Sequence, residues 1–392
     1  GAVAVGSLVF NFLFWSFGFL RMGTTGLTAQ ALGAQDMDEL RASLGRALLI
    51  ALVAGAALIL LQWPVREVAF LLLDGSERVE HLARGYFDVR IWSAPAALAN
   101  FALLGWFVGL GRTDIGLVLQ LVLSLTNAAL DALFVLGFGW GVQGVAVGTV
   151  LAELIAAAAG LVIAGRHLCG FGGRWSLDRV LARERLRRTI AVNGDLMIRT
   201  LALLLVFAWF TTQGAGQGDV VLAANAVLMH FVTTAAYFLD GFAFAAEALV
   251  GRAVGAAQRT SLTAAARLTT AWAAGIAVVI SVVLAVLGTA IIDLLTVDAQ
   301  TRATARVYLP WAVTAPLLGV WAFQLDGIFI GSTRTAEMRN SMLVSLGIFL
   351  IAWWALRPLG NHGLWAAFHI HFIARAATLA RFYPRLAHSV AA

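Results

Sequence analysis

Eleven apolar stretches run through this chain, at roughly 1–20, 45–63, 91–110, 115–137, 143–165, 196–213, 220–246, 270–295, 309–331, 341–357 and 363–380. Most are long enough to cross a bilayer, which takes about 20 residues at about 1.5 Å rise each. Some connections are very short, such as Phe138 to Val142. Those force neighbouring helices to run antiparallel. Only 12% of the 392 residues are charged, about half the share in ordinary soluble domains. That is too little to coat a water-soluble globule of this size. A soluble enzyme, a disordered chain and a coiled coil are excluded, and an all-α polytopic membrane protein remains.

All 27 basic residues are arginine, and the net charge is +6. Such a balance suggests nucleic acid until the arginines are placed. Connections are numbered alternately from the first stretch. The odd ones and the C-terminal tail (with Arg375, Arg381 and Arg385) hold nineteen arginines, the even ones seven, and Arg199 lies inside a stretch. This asymmetry predicts cytoplasmic odd connections and a cytoplasmic C-terminus. It also accounts for the basic balance without nucleic acid. Cys169 is the single cysteine, so no intrachain disulfide or cysteine-built zinc site is expected. The longest polar connection is arginine-rich, with an amphipathic helical pattern that also suits a helix lying on lipid. We read residues 167–193 as a cytoplasmic linker between an N-terminal lobe, 1–166, and a C-terminal lobe, 194–392.

An internal repeat sharpens the architecture. Residues 222 positions apart match in separated blocks: Tyr86 with Tyr308, Gly109, Arg112 and Thr113 with Gly331, Arg334 and Thr335, and Leu27, Ala31, Gly33 and Ala34 with Leu249, Ala253, Gly255 and Ala256. Ala94-Pro95 matches Ala315-Pro316 with a one-residue shift. Two such halves form a recurring transporter plan. At this offset the stretch 196–213 pairs with positions ahead of residue 1. The expectation is therefore two six-helix lobes, the first helix of the N-terminal lobe being absent from this chain.

Acidic residues at membrane depth are costly and usually face a cavity or a partner. Asn127 and Asp131 are four residues apart on one helical face. Asp131 lies seven residues before the Phe138–Val142 connection and Thr149 seven after it, so both sit about 10 Å from it on antiparallel helices. Carboxylate, amide oxygen and hydroxyl suit a hard cation, and a proton also neutralises the carboxylate. Asn127, Asp131 and Thr149 are the candidate ion-coupling residues, with Na⁺ at Asp131 and Asn127 as one form. An interhelical hydrogen-bond cluster that only holds the bundle is the plainer reading. Asp240, Glu247 and Asp326 are second-lobe cavity candidates, because their repeat partners Gly18, Thr25 and Leu104 are not acidic. Glu247 also suits an ion pair with Arg252, and Asp195 with Arg199 suits an interfacial i,i+4 pair. Glu153 stands alone in an apolar stretch, as a further cavity candidate. His369 and His371 flank Ile370 and make a poor metal pair, and His230 is read as a satisfied bundle histidine.

Gly139, Gly141 and Gly144 match a GxGxxG pattern, but they follow an apolar helix rather than a strand. They are read as a tight hairpin. Without lysine there is no Walker A motif, so a gradient must supply any transport energy. No cofactor is expected beyond a coupling ion, H⁺ or Na⁺. An enzyme reading lacks a nucleophile–base set. A lipid-linked oligosaccharide flippase would favour several arginines facing a cavity. A non-transporting membrane scaffold would show no ion-dependent flux.

A family likeness resides in Phe19-Leu-Arg-Met-Gly-Thr-Thr-Gly-Leu-Thr-Ala-Gln-Ala-Leu-Gly33, Ser93-Ala-Pro95, Asn127-x-x-x-Asp131, Gln143-Gly144, Asn225-Ala-Val-Leu-Met229, Leu239-Asp-Gly-Phe-Ala-Phe-Ala-Ala-Glu247, Leu325-Asp-Gly-Ile-Phe-Ile-Gly331 and Glu337-Met-Arg-Asn-Ser341. Together these resemble the DinF-like branch of the multidrug and toxic compound extrusion (MATE) family, from Gly1 to about Arg381. The resemblance implies twelve helices in two lobes around a V-shaped cleft. It implies export of small-molecule drugs, often cationic or amphipathic, against inward H⁺ or Na⁺. In that branch an Asp on the first helix joins an Asn and an Asp on the fifth and polar groups on the sixth. Asn127, Asp131 and Thr149 match the latter, and the first-helix Asp has no counterpart here. The setting implied is a multi-pass monomer in the inner (plasma) membrane, in contact with lipid and not with nucleic acid.

Overall fold

The structure, a computed structural model, describes residues 2–71 and 77–390. Gly1, ahead of which the repeat counts a further helix, lies outside the described residues. The helices in order are α1 (Ala2–Ser16), α2 (Phe19–Gly33), α3 (Met37–Leu60), α4 (Gln62–Leu71), α5 (Glu77–Arg90), α6 (Ala94–Gly109), α7 (Thr113–Ala132), α8 (Gly141–Gly170), α9 (Leu177–Val180), α10 (Arg183–Ala215), α11 (Asp219–Gly255), α12 (Arg259–Leu295), α13 (Ala299–Gly331), α14 (Thr335–Leu356), α15 (Asn361–Ala380) and α16 (Tyr383–Ser389). The chain forms two compact units, Gly1–Asn193 and Gly194–Ala392.

Nine helical segments among the described residues are long and apolar enough to cross a membrane, and this is a multi-pass membrane protein. Two of the eleven expected stretches are not among the nine. The first breaks at Phe17–Gly18 into two helices of 15 residues each. There the backbone takes tight turns, Phe17 N–H to Phe14 O at 2.9 Å and Gly18 N–H to Trp15 O at 3.0 Å. The last, α15, has 20 residues, but Arg375 and three histidines lower its mean hydropathy. Large apolar side chains stand exposed along one face of α7 (Leu117, Leu121, Leu125) and of α12 (Val279, Val283, Val286). Such faces are stable against acyl chains, because each helix satisfies its own backbone hydrogen bonds.

In the first unit Leu40, Leu44, Leu103, Trp106 and Phe107 form a buried core, and the Trp106 indole donates to Leu40 O at 3.2 Å. The arginine-rich segment after α8 docks onto this unit. Arg41 of α3 donates to the carbonyls of Phe171 (2.7 Å), Gly172 (3.2 Å) and Leu168, which end α8. Arg46 reaches Arg179 O at 2.8 Å and also pairs with Glu39. Arg179 pairs with Asp36 at 2.9 Å, and Asp36 caps α3 by accepting from Glu39 N–H at 3.0 Å. Burial pushes the Asp36 carboxyl up, but the Glu39 N–H and the Arg179 guanidinium outweigh it and hold the group below its ordinary value. This contact is therefore present at neutral pH and is lost as pH falls through that lowered value. In the second unit the core is aromatic, with Phe210, Phe231, Phe349, Trp365, Phe368 and Phe372.

The offset of 222 recurs in backbone detail. A Cβ added at Gly105 or Gly109 of α6 would overlap the carbonyl oxygens of Arg21 and Thr25 on α2. A Cβ at Gly327 or Gly331 of α13 would overlap those of Ala243 and Glu247 on α11. All four pairs correspond at the same offset. Small residues spaced by four let helix backbones approach this closely. The helix ends match too. Arg112 N–H bonds to Phe107 O at 2.8 Å and Arg334 N–H to Phe329 O at 3.0 Å. Each closes its turn through a left-handed residue, Gly111 (φ 74°) in one half and Thr333 (φ 54°) in the other.

A β-branched residue is strained in that conformation and glycine is not. Thr333→Gly is expected to stabilise the protein by about 1 kcal/mol, seen as a higher melting temperature of the detergent-purified protein. An unchanged or lower value would show that Thr333 carries no such strain.

Candidate functional site

Helices α7 and α8 pack side by side, joined by a π-helical turn over Leu133–Gly137 and a tight connection into Gly141. The hairpin brings Asn127, Asp131 and Thr149 together. Asn127 Nδ2 donates to Asp131 Oδ1 at 3.3 Å and to Thr149 Oγ1 at 3.1 Å. Thr149 Oγ1 in turn donates to Val145 O at 2.9 Å. Both amide protons of Asn127 are thereby used. Among the described residues no donor reaches Asp131 Oδ2 or Asn127 Oδ1, and no arginine pairs with Asp131. Gly148 makes this seat possible, because a Cβ there would overlap Asp131 Oδ1. Asp131 and Asn127 are half-buried and Thr149 is buried. Two oxygens are thus left for a proton or a hard cation, in a segment that crosses the membrane.

One turn further along α8 lies Glu153. Asn100 Nδ2 on α6 donates to Glu153 Oε2 at 2.6 Å and to Glu153 O at 3.1 Å. Asn100 escaped the sequence reading, since one amide in an apolar stretch carries no spacing signal. Arg90, counted above with the connections, ends α5 within a spanning segment. Its guanidinium donates to Tyr86 O–H and lies 5.0 Å from the Phe10 ring centroid.

The second unit treats its acids differently. Asp326 on α13 is buried between Arg199 of α10 and Arg375 of α15, and its Oδ2 accepts from both. Asp240 on α11 adds a negative charge within electrostatic reach of Arg375. Glu247 is 1% exposed, whereas Arg252 is exposed at the end of the helix. Two assignments of arginines change. Arg375, assigned above to the C-terminal tail, is buried at 3% exposure, because Asp326 meets its charge. The i,i+4 partners Asp195 and Arg199 turn to other helices: Asp195 accepts from Thr335 Oγ1 at 3.0 Å and Arg339 Nη1 at 2.5 Å, and Arg199 reaches Asp326. The partners on α14 and α13 were not legible from spacing along α10.

Other polar groups of this unit form structural networks. Asn225 and Asn361 exchange amide hydrogen bonds at 2.8 and 2.9 Å, and the Trp365 indole donates to Asn225 Oδ1 at 2.9 Å. His369 meets Thr314 on α13 and His371 faces Ser345 O on α14. His230, read above as a bundle histidine, is exposed. An apolar cavity of about 710 Å³ lies among α12, α13, α15 and α16, and Gln324 lines it. Neither amide atom of Gln324 has a hydrogen-bond partner among the described residues.

The two kinds of carboxylate respond differently to neutralisation. Asp326→Asn leaves two buried guanidinium groups short of their counter-charge and is expected to cost about 3–5 kcal/mol. Asp131→Asn breaks no ion pair among the described residues and is expected to leave stability nearly unchanged. Melting temperature and the yield of monodisperse protein read the contrast. Equal stability of the two variants would contradict it.

The family model MatE matches residues 1–133 and 184–358. The DNA damage-inducible protein F of Escherichia coli K12 is 42% identical over 385 residues, 98% of this chain and 84% of that protein. A probable multidrug resistance protein NorM of Rhizobium meliloti is 26% identical over 358 residues, 88% of this chain and 74% of its own length. Among solved structures, the Vibrio cholerae MATE transporter VcmN in the bent form superposes with a TM-score of 0.88 at 19% identity, covering 99% of this chain and 89% of that one. At that identity the likeness speaks to fold alone.

Proposed function

The chain belongs to the MATE family of secondary transporters, and is not an enzyme; from that premise we propose that it exports amphipathic or cationic drugs in exchange for H⁺ or Na⁺, by alternating access. The observation that carries the reading is Asp131: a carboxylate in a spanning helix, hydrogen-bonded only by an amide and ion-paired with no arginine among the described residues, Arg90 acting on it only through its field. Its charge at that depth is costly. A proton or Na⁺ arriving at Asp131 and Asn127 removes the cost and alters packing between α7 and α8. Loss of the ion restores the charge and favours the other state. The ion biases the two states only through its different affinity for each.

The reading places the protein in the inner membrane with its C-terminus in the cytoplasm, supported by the arginine excess of the odd connections. It keeps the lobes at 1–166 and 194–392, with residues 167–193 between them. In the second lobe Asp240 and Glu247 remain cavity candidates. Asp326 serves there as the counter-charge of Arg199 and Arg375. A flippase for pyrophosphate-linked sugars is not favoured, because both of these buried arginines are already engaged by Asp326.

Dye efflux from proteoliposomes, under separately imposed pH and sodium gradients, tests the proposal. The full-length protein should respond to one gradient or to both. Asp131→Asn should reduce gradient-driven efflux at least tenfold while membrane expression stays normal. Unchanged gradient-driven efflux in that variant rules the scheme out.

A further inference from the structure

The apolar cavity among α12, α13, α15 and α16 has a volume of about 710 Å³, within the usual range of small-molecule pockets, about 300–1,000 Å³. Ala271, Trp321, Ile373 and Ala377 line it and are exposed. It therefore opens sideways, where acyl chains lie against spanning helices. Small residues on α12 make the room. At the offset of 222, Ala266, Thr270, Ala271 and Ala274 pair with Leu44, Leu48, Leu49 and Leu52 of α3. In the first unit Leu44 belongs to the buried core and Leu48 packs against it. Without such branched side chains, the same layer of the second unit stays open as a groove.

Polar side chains gather toward one end of this groove. Arg267 is exposed, and no acid pairs with it among the described residues. Tyr383 of α16 lines the same space and is half-buried. Gln324 is 1% exposed, and neither of its amide atoms has a partner among the described residues; such a group asks for an explanation. At the repeat offset Arg267 and Gln324 pair with Gly45 and Ala102, so helix packing does not demand them. Counted from the Leu295–Ala299 connection, Arg267 and Ile328 share one depth, and Gln324 lies about one helical turn deeper. The lining along α13 runs from Leu318 to Ile328, about 15 Å. That is the thickness of one hydrocarbon leaflet, half of about 30 Å.

We propose that this groove seats one acyl chain of an anionic diacyl phospholipid, whose phosphate meets Arg267 and the Tyr383 hydroxyl. Length and charge select this occupant. An acyl chain extends through one leaflet, as the groove does, and a guanidinium without an acidic partner takes a phosphate by charge-assisted hydrogen bonds. Arg259, Arg381 and Arg385 add positive charge at the same end, where α12 begins and α16 packs against it. Ester carbonyls hang below the phosphate of a glycerophospholipid. One of them reaches the depth of Gln324 and accepts from its Nε2. In the first unit the corner at Gly45 is covered instead by Trp175 and Val180, from the segment after α8. The lipid site goes beyond the transport reading and stands without it.

The test uses full-length protein in detergent and lipids of equal chain length. Dioleoylphosphatidylglycerol is anionic, dioleoylphosphatidylcholine is zwitterionic, and an ether-linked phosphatidylglycerol lacks the carbonyls. Binding is read by native mass spectrometry. The unaltered protein should prefer phosphatidylglycerol to phosphatidylcholine. Arg267→Gln should weaken phosphatidylglycerol about fivefold and leave phosphatidylcholine unchanged. The ether analogue should bind more weakly than the ester to the unaltered protein, and equally well to Gln324→Leu. Phosphatidylglycerol with a diazirine in its acyl chain should label peptides containing Trp321 and Ile373. Ala274→Leu, which restores the leucine of the first unit, should abolish that labelling. Arg267→Gln alters an exposed position and still decides the matter if Ala274→Leu folds poorly. Equal binding of the two ester lipids to the unaltered protein would mean annular lipid only and overturns the proposal. Labelling that persists in a folded Ala274→Leu protein overturns it too, as does a groove left unlabelled because a segment of the full-length chain fills it.

Discussion

Moving a carboxylate from water to membrane depth costs more than a hydrogen bond from a neutral amide returns. The fold has to meet that cost at every such position. In the second unit it does so with fixed charge: Arg199 and Arg375 close on Asp326, and Asp240 stands within electrostatic reach of Arg375. In the first unit Asp131 and Glu153 receive amides, from Asn127 and Asn100, and Arg90 acts on both only through its field. The contrast divides these acids into ion-paired and amide-bonded groups without appeal to any relative.

Backbone approach makes these polar groups possible. Gly105 and Gly109 bring α6 against α2, and Gly327 and Gly331 bring α13 against α11. Asp326 immediately precedes one of these glycines, so tight packing seats it beside α11. Gly148 does the same for Asp131, by leaving room on α8 for the carboxylate oxygen. Larger side chains at these positions would hold the helices apart and admit lipid or water to these polar groups. Strain accompanies the same plan, at the left-handed Gln35, Ala257 and Thr333 that end α2, α11 and α13. Turn geometry there is set by the return of the chain into the next helix.

Much of this was legible in the residues. Apolar length located most spans, because a bilayer demands long uninterrupted runs. The spacing of Asp131 and Thr149 around a short hairpin placed two side chains at one depth, with Asn127 about one helical turn away on the same face, and helix geometry alone sufficed. What spacing along one helix could not reveal were partners on other helices. Arg375 looked like a tail residue, since its counter-charge Asp326 lies 49 positions earlier. Asn100 had no periodic neighbour to mark it, although it holds Glu153. The break at Phe17–Gly18 also escaped the hydropathy reading, because the apolar run continues across it to Leu20.

The hydrogen-bond chain at the first-unit cluster bears on how an ion can act there. It runs from Asn127 through Thr149 to Val145 O and is complete without any ion. Departure of a cation therefore orphans no donor; it uncovers only a charge. On the proposed scheme, the loaded and empty forms differ almost purely in electrostatic free energy, on a scaffold that stays bonded. A difference of that kind can bias two conformations, because charge is penalised according to how each exposes the site to water. The Asp326 cluster lacks this property. There, neutralising one group strands two others, and the response is loss of packing rather than a choice between states.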